Sequence, residues 1–302
     1  MKVLILYSLS PDDCDPGRFA YEFDMTAAVE GIAHALPDSI VAGVRGELSE
    51  VIAAVERYTP DVVFNLCEAP LGRPDLEHHV AAVLEWIGVP FTGSGSETLA
   101  LCRRKDRTNA VLSAAGVPVP RSGRFPCIVK PMDQDGSFGI LSNSVCVSEE
   151  EVVRATRNFA GPALVEEFLP GREFAVSLWG KRSPEFAAMG ETIFLLGMSL
   201  NTYAAKWCPD GEEYENTPMR YDTAVDPVLR EAVLDAARSA WMATDARGYL
   251  RVDVRQDPEG TPRVMDVNPN PALSPGIGVG RAAVESGWTW AQLVAQLVQW
   301  AC

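Results

Sequence analysis

No window of the 302-residue sequence is apolar for long enough to cross a membrane as a helix, so a membrane-spanning protein is not expected. No two cysteines form a CxxC or another zinc spacing. The three histidines, His34, His78 and His79, are too few and too scattered for a good metal site. Positive charge is in short supply: 26 Lys and Arg face 41 Asp and Glu, a formal net charge of −15. That balance excludes nucleic acid and anionic membrane surfaces as main partners, because each calls for a basic face. It leaves room for a nucleotide, which needs only a few local cations. Internal repeats and low-complexity stretches are absent as well. The opening MKVLILYSLSPDD has too short an apolar run for a secretory leader and no cleavage pattern. The seven cysteines, at 14, 67, 102, 127, 146, 208 and 302, are odd in number and mostly lie among apolar residues. They read as reduced thiols of a cytoplasmic protein.

What is present is an α/β pattern too long for one core. KVLILY and DVVFNL read as buried strands, and VPFTG as a short one. MTAAVEGIAHAL, SEVIAAVERY and LEHHVAAVLEWIG read as helices, the last ended by Gly88. Strand and helix alternate through residue 92, the signature of a doubly wound unit. The texture then changes to α+β. ETLALCRRKDRTNAVLSAAG reads as one helix, and PCIVKP and SVCVS as a hairpin around the glycine-containing DQDGSFGI. Ser148 with Glu151 reads as a capping box on the next helix. ALVEEFL, EFAVSLWG, YLRVDVR and PRVMDVN follow as strands, and PVLREAVLDAARSAWMAT and TWAQLVAQLVQW as helices. The polar stretch 201–224 has the length of a lid or a disordered segment.

Chemistry concentrates in four places. DPEG at 257–260 suits a type I turn. A hairpin closing symmetrically there pairs Arg251 with Asp266 and Tyr249 with Asn268. Side chains alternate along strands, so Arg251, Asp253, Asp266 and Asn268 then share one face. Oxygen ligands of this kind suit Mg²⁺; a solvated strand face is the ordinary alternative. Lys130 ends an apolar strand beside a glycine loop, where it can meet phosphate or simply snorkel. Gly136 and Gly139 flank Ser137 in a loop that can present backbone N–H groups to an anion, or that is only a tight turn. The segment Glu166, Glu167, Phe168, Leu169 can pair its backbone with a base edge, with Glu173 on a ribose; a charged strand edge is the alternative.

Taken in order, Lys105, CIVKP, DGSFGI, the Glu166–Glu173 segment, Lys206, YLRVDV and VMDVNPNP resemble the ATP-grasp superfamily. Within it they resemble the D-alanine–D-alanine ligases and their relatives, over nearly the whole chain. The resemblance implies an ATP-grasp fold: an N-terminal α/β domain at 1–92, a central subdomain at 93–169 and a C-terminal subdomain at 170–302. It implies an ATP-dependent, ADP-forming carboxylate–amine ligase that works through an acyl phosphate. Lys105 and Lys130 are then expected on the ATP phosphates, and Gly136 and Ser137 in the loop above them. Glu166 and the Glu167–Leu169 backbone read adenine, Phe168 and Met265 sandwich it, and Glu173 holds the ribose. Lys206 reaches the terminal phosphate. Asp253, Asp266 and Asn268 bind two Mg²⁺ ions, with Mn²⁺ as a substitute. Arg251 steadies charge on the acyl group, and the Ala272 N–H and Ser137 serve the reacting centre. Members of the family are often homodimers.

The departures fall around the substrate. Trp207 follows Lys206 where the D-alanine ligases carry a tyrosine, and Trp207 cannot accept a hydrogen bond. The glycine loop is one residue shorter. Ala272 stands in place of a glycine, and SPGIGVGR in place of a carboxylate-binding Ser-Leu pair. Glu22, Trp207 and Asn270 are the candidate substrate contacts. The expected reaction therefore joins amino-acid-type substrates, or closes a ring within one. Strict D-alanyl-D-alanine synthesis, a small-molecule kinase and a non-catalytic ATP-binding protein are the alternatives.

Overall fold

The run Val3–Leu6 offers water no polar side chain, so a strand there has to be covered on both faces. In the computed structural model, which describes residues 1–9, 22–134, 136–157, 159 and 161–302, the run lies in β1 (Val3–Ser8). β1 is the middle of a parallel sheet ordered β2-β1-β3, with β2 at Ile40–Val44 and β3 at Val62–Leu66. Its alternate residues enter different cores. Leu4 and Leu6 pack with Val51 and Val55 of α2 (Leu48–Tyr58) and with Val80 and Leu84 of α3 (Glu77–Ile87). Val3 and Ile5 pack with Val29 and Ile32 of α1 (Glu22–Ala35). That second core also takes Ala282 and Ala283 of α10 (Gly278–Glu285) and Leu293, Val294 and Leu297 of α11 (Trp290–Ala301). The first sheet of the chain is thus finished by its last two helices.

Two antiparallel sheets follow. In the smaller, β4 (Cys127–Pro131) lies between β5 (Val145–Cys146) and β6 (Ala163–Glu167), over α6 (Glu149–Thr156). The larger is ordered β11-β10-β7-β8-β9, with β7 at Glu173–Gly180, β8 at Phe186–Thr192, β9 at Met219–Arg220, β10 at Gly248–Gln256 and β11 at Pro262–Asn268. One face of it is sealed by α9 (Pro227–Ala243), whose Val233, Ala237 and Trp241 meet Phe174, Val176, Leu250 and Val252. The odd-numbered positions of β7 and β10 therefore face the other way, where Ala175, Ser177, Arg251 and Asp253 line open space.

Several elements depart from expectation. The single helix expected over 97–116 is two, α4 (Ser96–Cys102) and α5 (Lys105–Ala114), because Arg104 is extended at φ −103°, ψ 92°. The break turns Lys105 inward to 7% exposure, with its N–H on the Met132 carbonyl at 3.2 Å. VPFTG makes one bridge, Val63 to Phe91, instead of a strand. The 201–224 stretch is ordered as α7 (Tyr203–Trp207), α8 (Glu212–Glu215) and β9. At Ser148 the side chain caps α6, but the Glu151 carboxylate returns to the Val147 N–H, one residue before the position a capping box uses. Among the described residues, no helix is long and apolar enough to cross a membrane.

Candidate active site

The β10–β11 hairpin organises the site. Its turn forms as expected, with the Gly260 N–H on the Asp257 carbonyl at 2.9 Å. Gly260, at φ +83°, adds a bulge there, so Gln256 pairs with Pro262. A second irregularity leaves Met265 as an extra residue, between Val254↔Val264 and Asp253↔Asp266. The expected pairing of Arg251 with Asp266 is therefore corrected: Arg251 faces Asn268, and Asp253 faces Asp266. Each bulge shifts the register by one residue, and together they amount to a full pleat. The four side chains consequently keep one face.

That face meets the cations of α5 and β4. Lys105 Nζ lies 3.0 Å from Asp266, and Arg251 forks onto Asp253 at 2.8 and 3.0 Å. Lys130 Nζ pairs with Glu166 at 2.5 Å and donates to the Met265 carbonyl at 3.3 Å, so the bulge aims a backbone oxygen at a lysine. Burial alone would push the Asp266 carboxyl up, but Lys105 and Lys130 outweigh it and hold it below the usual carboxylate range. Burial wins at Glu173, whose carboxyl sits above its ordinary value even though Arg255 lies 3.1 Å away. Lost hydration and then the Arg251 charge push the Lys206 ammonium down.

Two clefts adjoin here. The first, of about 780 Å³, is lined by Lys130 and Glu166 from the sheet floor, by Lys105 from the start of α5, and by Gly136 and Ser137 from the loop. Glu167, Phe168, Leu169, Glu173, Lys206 and Met265 complete the set expected around a nucleotide. The second cleft, of about 1620 Å³, is lined by Arg251, Trp207 and Ala272 among others. Glu173, Asn201, Lys206 and Asp253 line both and form a common wall. α7 rests on the glycine loop. Trp207 Nε1 donates to the Gly136 carbonyl at 2.9 Å, the Tyr203 N–H reaches the Ile140 carbonyl at 3.4 Å, and Tyr203 meets Phe138 edge-on. Ser137 holds φ +61°, a left-handed conformation costing a non-glycine residue about 1–2 kcal/mol.

Two expected contacts, Asn268 and Asn270, do not line either cleft. Asn270 is spent elsewhere: it accepts from the Tyr249 hydroxyl at 2.8 Å and donates to Glu77 at 2.5 Å. Asn268 stays on the shared strand face, where its side-chain oxygen accepts from the Asn270 N–H at 2.9 Å. Glu22 opens α1, and its side chain lies outside the described residues. Two neighbours escaped the sequence reading. Asn201 donates to Glu173 at 3.4 Å from the start of the polar stretch. Arg255 anchors Glu173, donates to the Ser199 carbonyl at 2.9 Å and lies over the Phe168 ring. Two more residues along β10 from Asp253, period two reaches Arg255, so the signal for it was present.

Asp253, Asp266 and Asn268 supply hard oxygen donors on one face beside lysines, a donor set that fits Mg²⁺. Among the described residues, no group of three or more His, Cys, Asp or Glu is placed to hold a metal ion.

A family model described as D-ala D-ala ligase C-terminus matches residues 101–299. An uncharacterized protein of Sinorhizobium fredii, y4sG, is 32% identical over 81% of this chain and 78% of its own length. A D-alanine–D-alanine ligase of Gluconobacter oxydans is 28% identical over 90% of this chain and 91% of its own. The crystal structure of a D-alanine–D-alanine ligase from Bacillus anthracis complexed with ATP superposes with a TM-score of 0.75, at 16% identity, over 100% of this chain and 97% of that one. The chain has the ATP-grasp fold and belongs to the D-alanine–D-alanine ligase family, ATP-dependent carboxylate–amine ligases that release ADP.

Proposed function

We propose that the first cleft holds ATP and the second holds amino-acid-type substrates, which the chain joins through an acyl phosphate. The observation that carries this reading is the common wall of Glu173, Asn201, Lys206 and Asp253. A group on one side of it can be passed to an acceptor on the other. Residues 93–169 and 170–302 then act as the two halves that close on the nucleotide. Phe168 and Met265 lie against adenine. The Glu167 and Phe168 N–H groups already serve the Arg121 and Pro126 carbonyls, so the base edge falls to the Leu169 N–H. Glu173, steadied by Arg255 and Asn201, takes the ribose.

A carboxylate is a poor acylating agent, since its leaving group is oxide. Attack of its oxygen on the γ-phosphorus breaks the bond to the ADP oxygen and gives an acyl phosphate. The amine then adds, phosphate leaves with the carbon–oxygen electron pair, and the amine gives up a proton. Lys105, Lys130 and Lys206 counter the charge on the phosphates through transfer. Asp253, Asp266 and Asn268 would hold Mg²⁺, which when bound neutralises phosphate charge and orients the leaving group. Arg251, fixed by Asp253, faces the second cleft and steadies the acyl oxygen, and the Ala272 backbone lies on the same side. The thiol-rich composition suits a reducing compartment, and we place the reaction in the cytoplasm.

The test is ADP release with ATP, Mg²⁺ and matched panels of carboxylates and amines, with products read by mass spectrometry. An amide product, linear or cyclic, is expected. A stable phosphorylated product, or no stimulation by any carboxylate, overturns the reading. Asp266→Asn is expected to lower ADP release by about 100-fold and to raise the Mg²⁺ requirement. Binding of ADP without metal, followed by calorimetry, should change little.

A further inference from the structure

The second cleft carries charge that the transfer step does not use. Four cations line it: Lys206, Arg220, Arg251 and Arg281. Lys206 stands on the common wall, and Arg251 is neutralised by Asp253. Arg220 and Arg281 remain: Arg220 has no acid paired with it among the described residues, and Arg281 has only one at the surface. Arg220 sits in β9 directly opposite Glu191 of β8, the acid that would ordinarily pair with it across the strands. Glu191 is already taken by a two-pronged contact from Arg172, at 2.6 Å on each oxygen. Arg220 has no other side-chain partner among the described residues. Arg281 is held in place rather than neutralised. Its guanidinium donates to the Met219 carbonyl at 3.3 Å and lies over the Tyr221 ring, 5.3 Å from the centroid. Its acid, Glu285, is 3.7 Å away at the surface, where such a pair counts for little. Both restraints come from residues on either side of Arg220, so the two guanidiniums are tied to one short segment, 219–221. Three acids line the cleft as well: Asp253 is taken by Arg251 and Glu173 by Arg255, which leaves Glu215 against the two arginines. In a chain of net charge −15, a cleft whose uncommitted charge still sums to positive runs against the average.

We propose that Arg220 and Arg281 determine acceptor specificity. They read a carboxylate that the amine-bearing substrate carries away from its reacting nitrogen, as in an acidic amino acid or a peptide with an acidic end. The proposal rests on the assignment of the second cleft to the amine substrate. A guanidinium donates parallel N–H bonds to both oxygens of a carboxylate, whereas the carboxamide of the same shape offers one acceptor oxygen and no charge.

Calorimetry on the protein–ADP complex separates the possibilities. The probes are glutamate and glutamine, and aspartate and asparagine, each as both enantiomers. At least one acid is expected to bind about tenfold or more tightly than its amide. That preference should vanish in Arg220→Gln/Arg281→Gln, while affinity for ADP stays as in the parent. Equal binding of acid and amide, no measurable binding of any acid, or a preference that survives both substitutions overturns the proposal. ADP release with neutral amino acids is followed in parallel. If turnover persists while acid and amide bind alike, the ligase reading stands and only the arginine assignment falls. If no carboxylate stimulates ADP release, the ligase reading falls with it.

Discussion

Trp207 ties α7 to the glycine loop: it reaches across with a rigid N–H and donates to the Gly136 carbonyl. Trp207→Phe keeps the ring and deletes the donor. Loss of one such bond, about 1 kcal/mol, should loosen α7 from the loop. The expected result is a higher ratio of free ATP hydrolysis to amide formed, because water gains access to the acyl phosphate. Phosphate and amide counted in the same reaction check it. Lys206 supplies a second prediction. Its ammonium is held below the ordinary lysine value, so turnover should fall as pH rises through that lowered pKa. Lys206→Arg keeps its charge and should carry the alkaline limb upward in a pH–kcat profile. The stability sign is opposite. A lysine depressed in the folded state penalises folding below its folded pKa, and the penalty is relieved as pH rises towards the ordinary value.

At the scale of elements, glycine decides where α10 begins. A Cβ on Gly280 would stand 1.9 Å from the Ser274 carbonyl oxygen, which is backbone and cannot step aside. Gly280→Ala is expected to lose about 2–3 kcal/mol and roughly 5 °C or more in melting temperature, while a change at open Gly276 is nearly silent. Thermal unfolding followed by circular dichroism checks both. The same glycines hid α10 from the sequence, since GIGVG has neither helical propensity nor an apolar period. Other elements were legible because their signals are local. The alternation of Arg251, Asp253, Asp266 and Asn268 named a shared face, and the order of lysines and acids named the family. Pair register was not local. It depended on a left-handed Gly260 and an extra Met265, and no period in the sequence reports either. The partners of Asn270 are not local either. Glu77 and Tyr249 lie far away in sequence and only the fold brings them together.

Across the whole molecule, one apolar core joins the beginning of the chain to its end. Leu293, Val294, Leu297 and Val298 are at most 1% exposed and pack in the core that holds Ile5, Ile32 and Phe64. Burying side chains of this kind contributes about 1.5–3 kcal/mol each. Removing α11 (Trp290–Ala301) should therefore collapse amide-exchange protection in β1 and β3, far away in sequence. Protection that persists in those strands would show that the first sheet stands alone. The arrangement also bears on how the protein is made. A ribosome delivers β1, α1 and β3 long before it reaches α11, with residues 67–289 in between, so the newborn sheet waits with one oily side bare. At ordinary rates of synthesis that wait is on the order of ten seconds or more. During it, the nascent chain depends on chaperones, or on dilution, to stay out of aggregates.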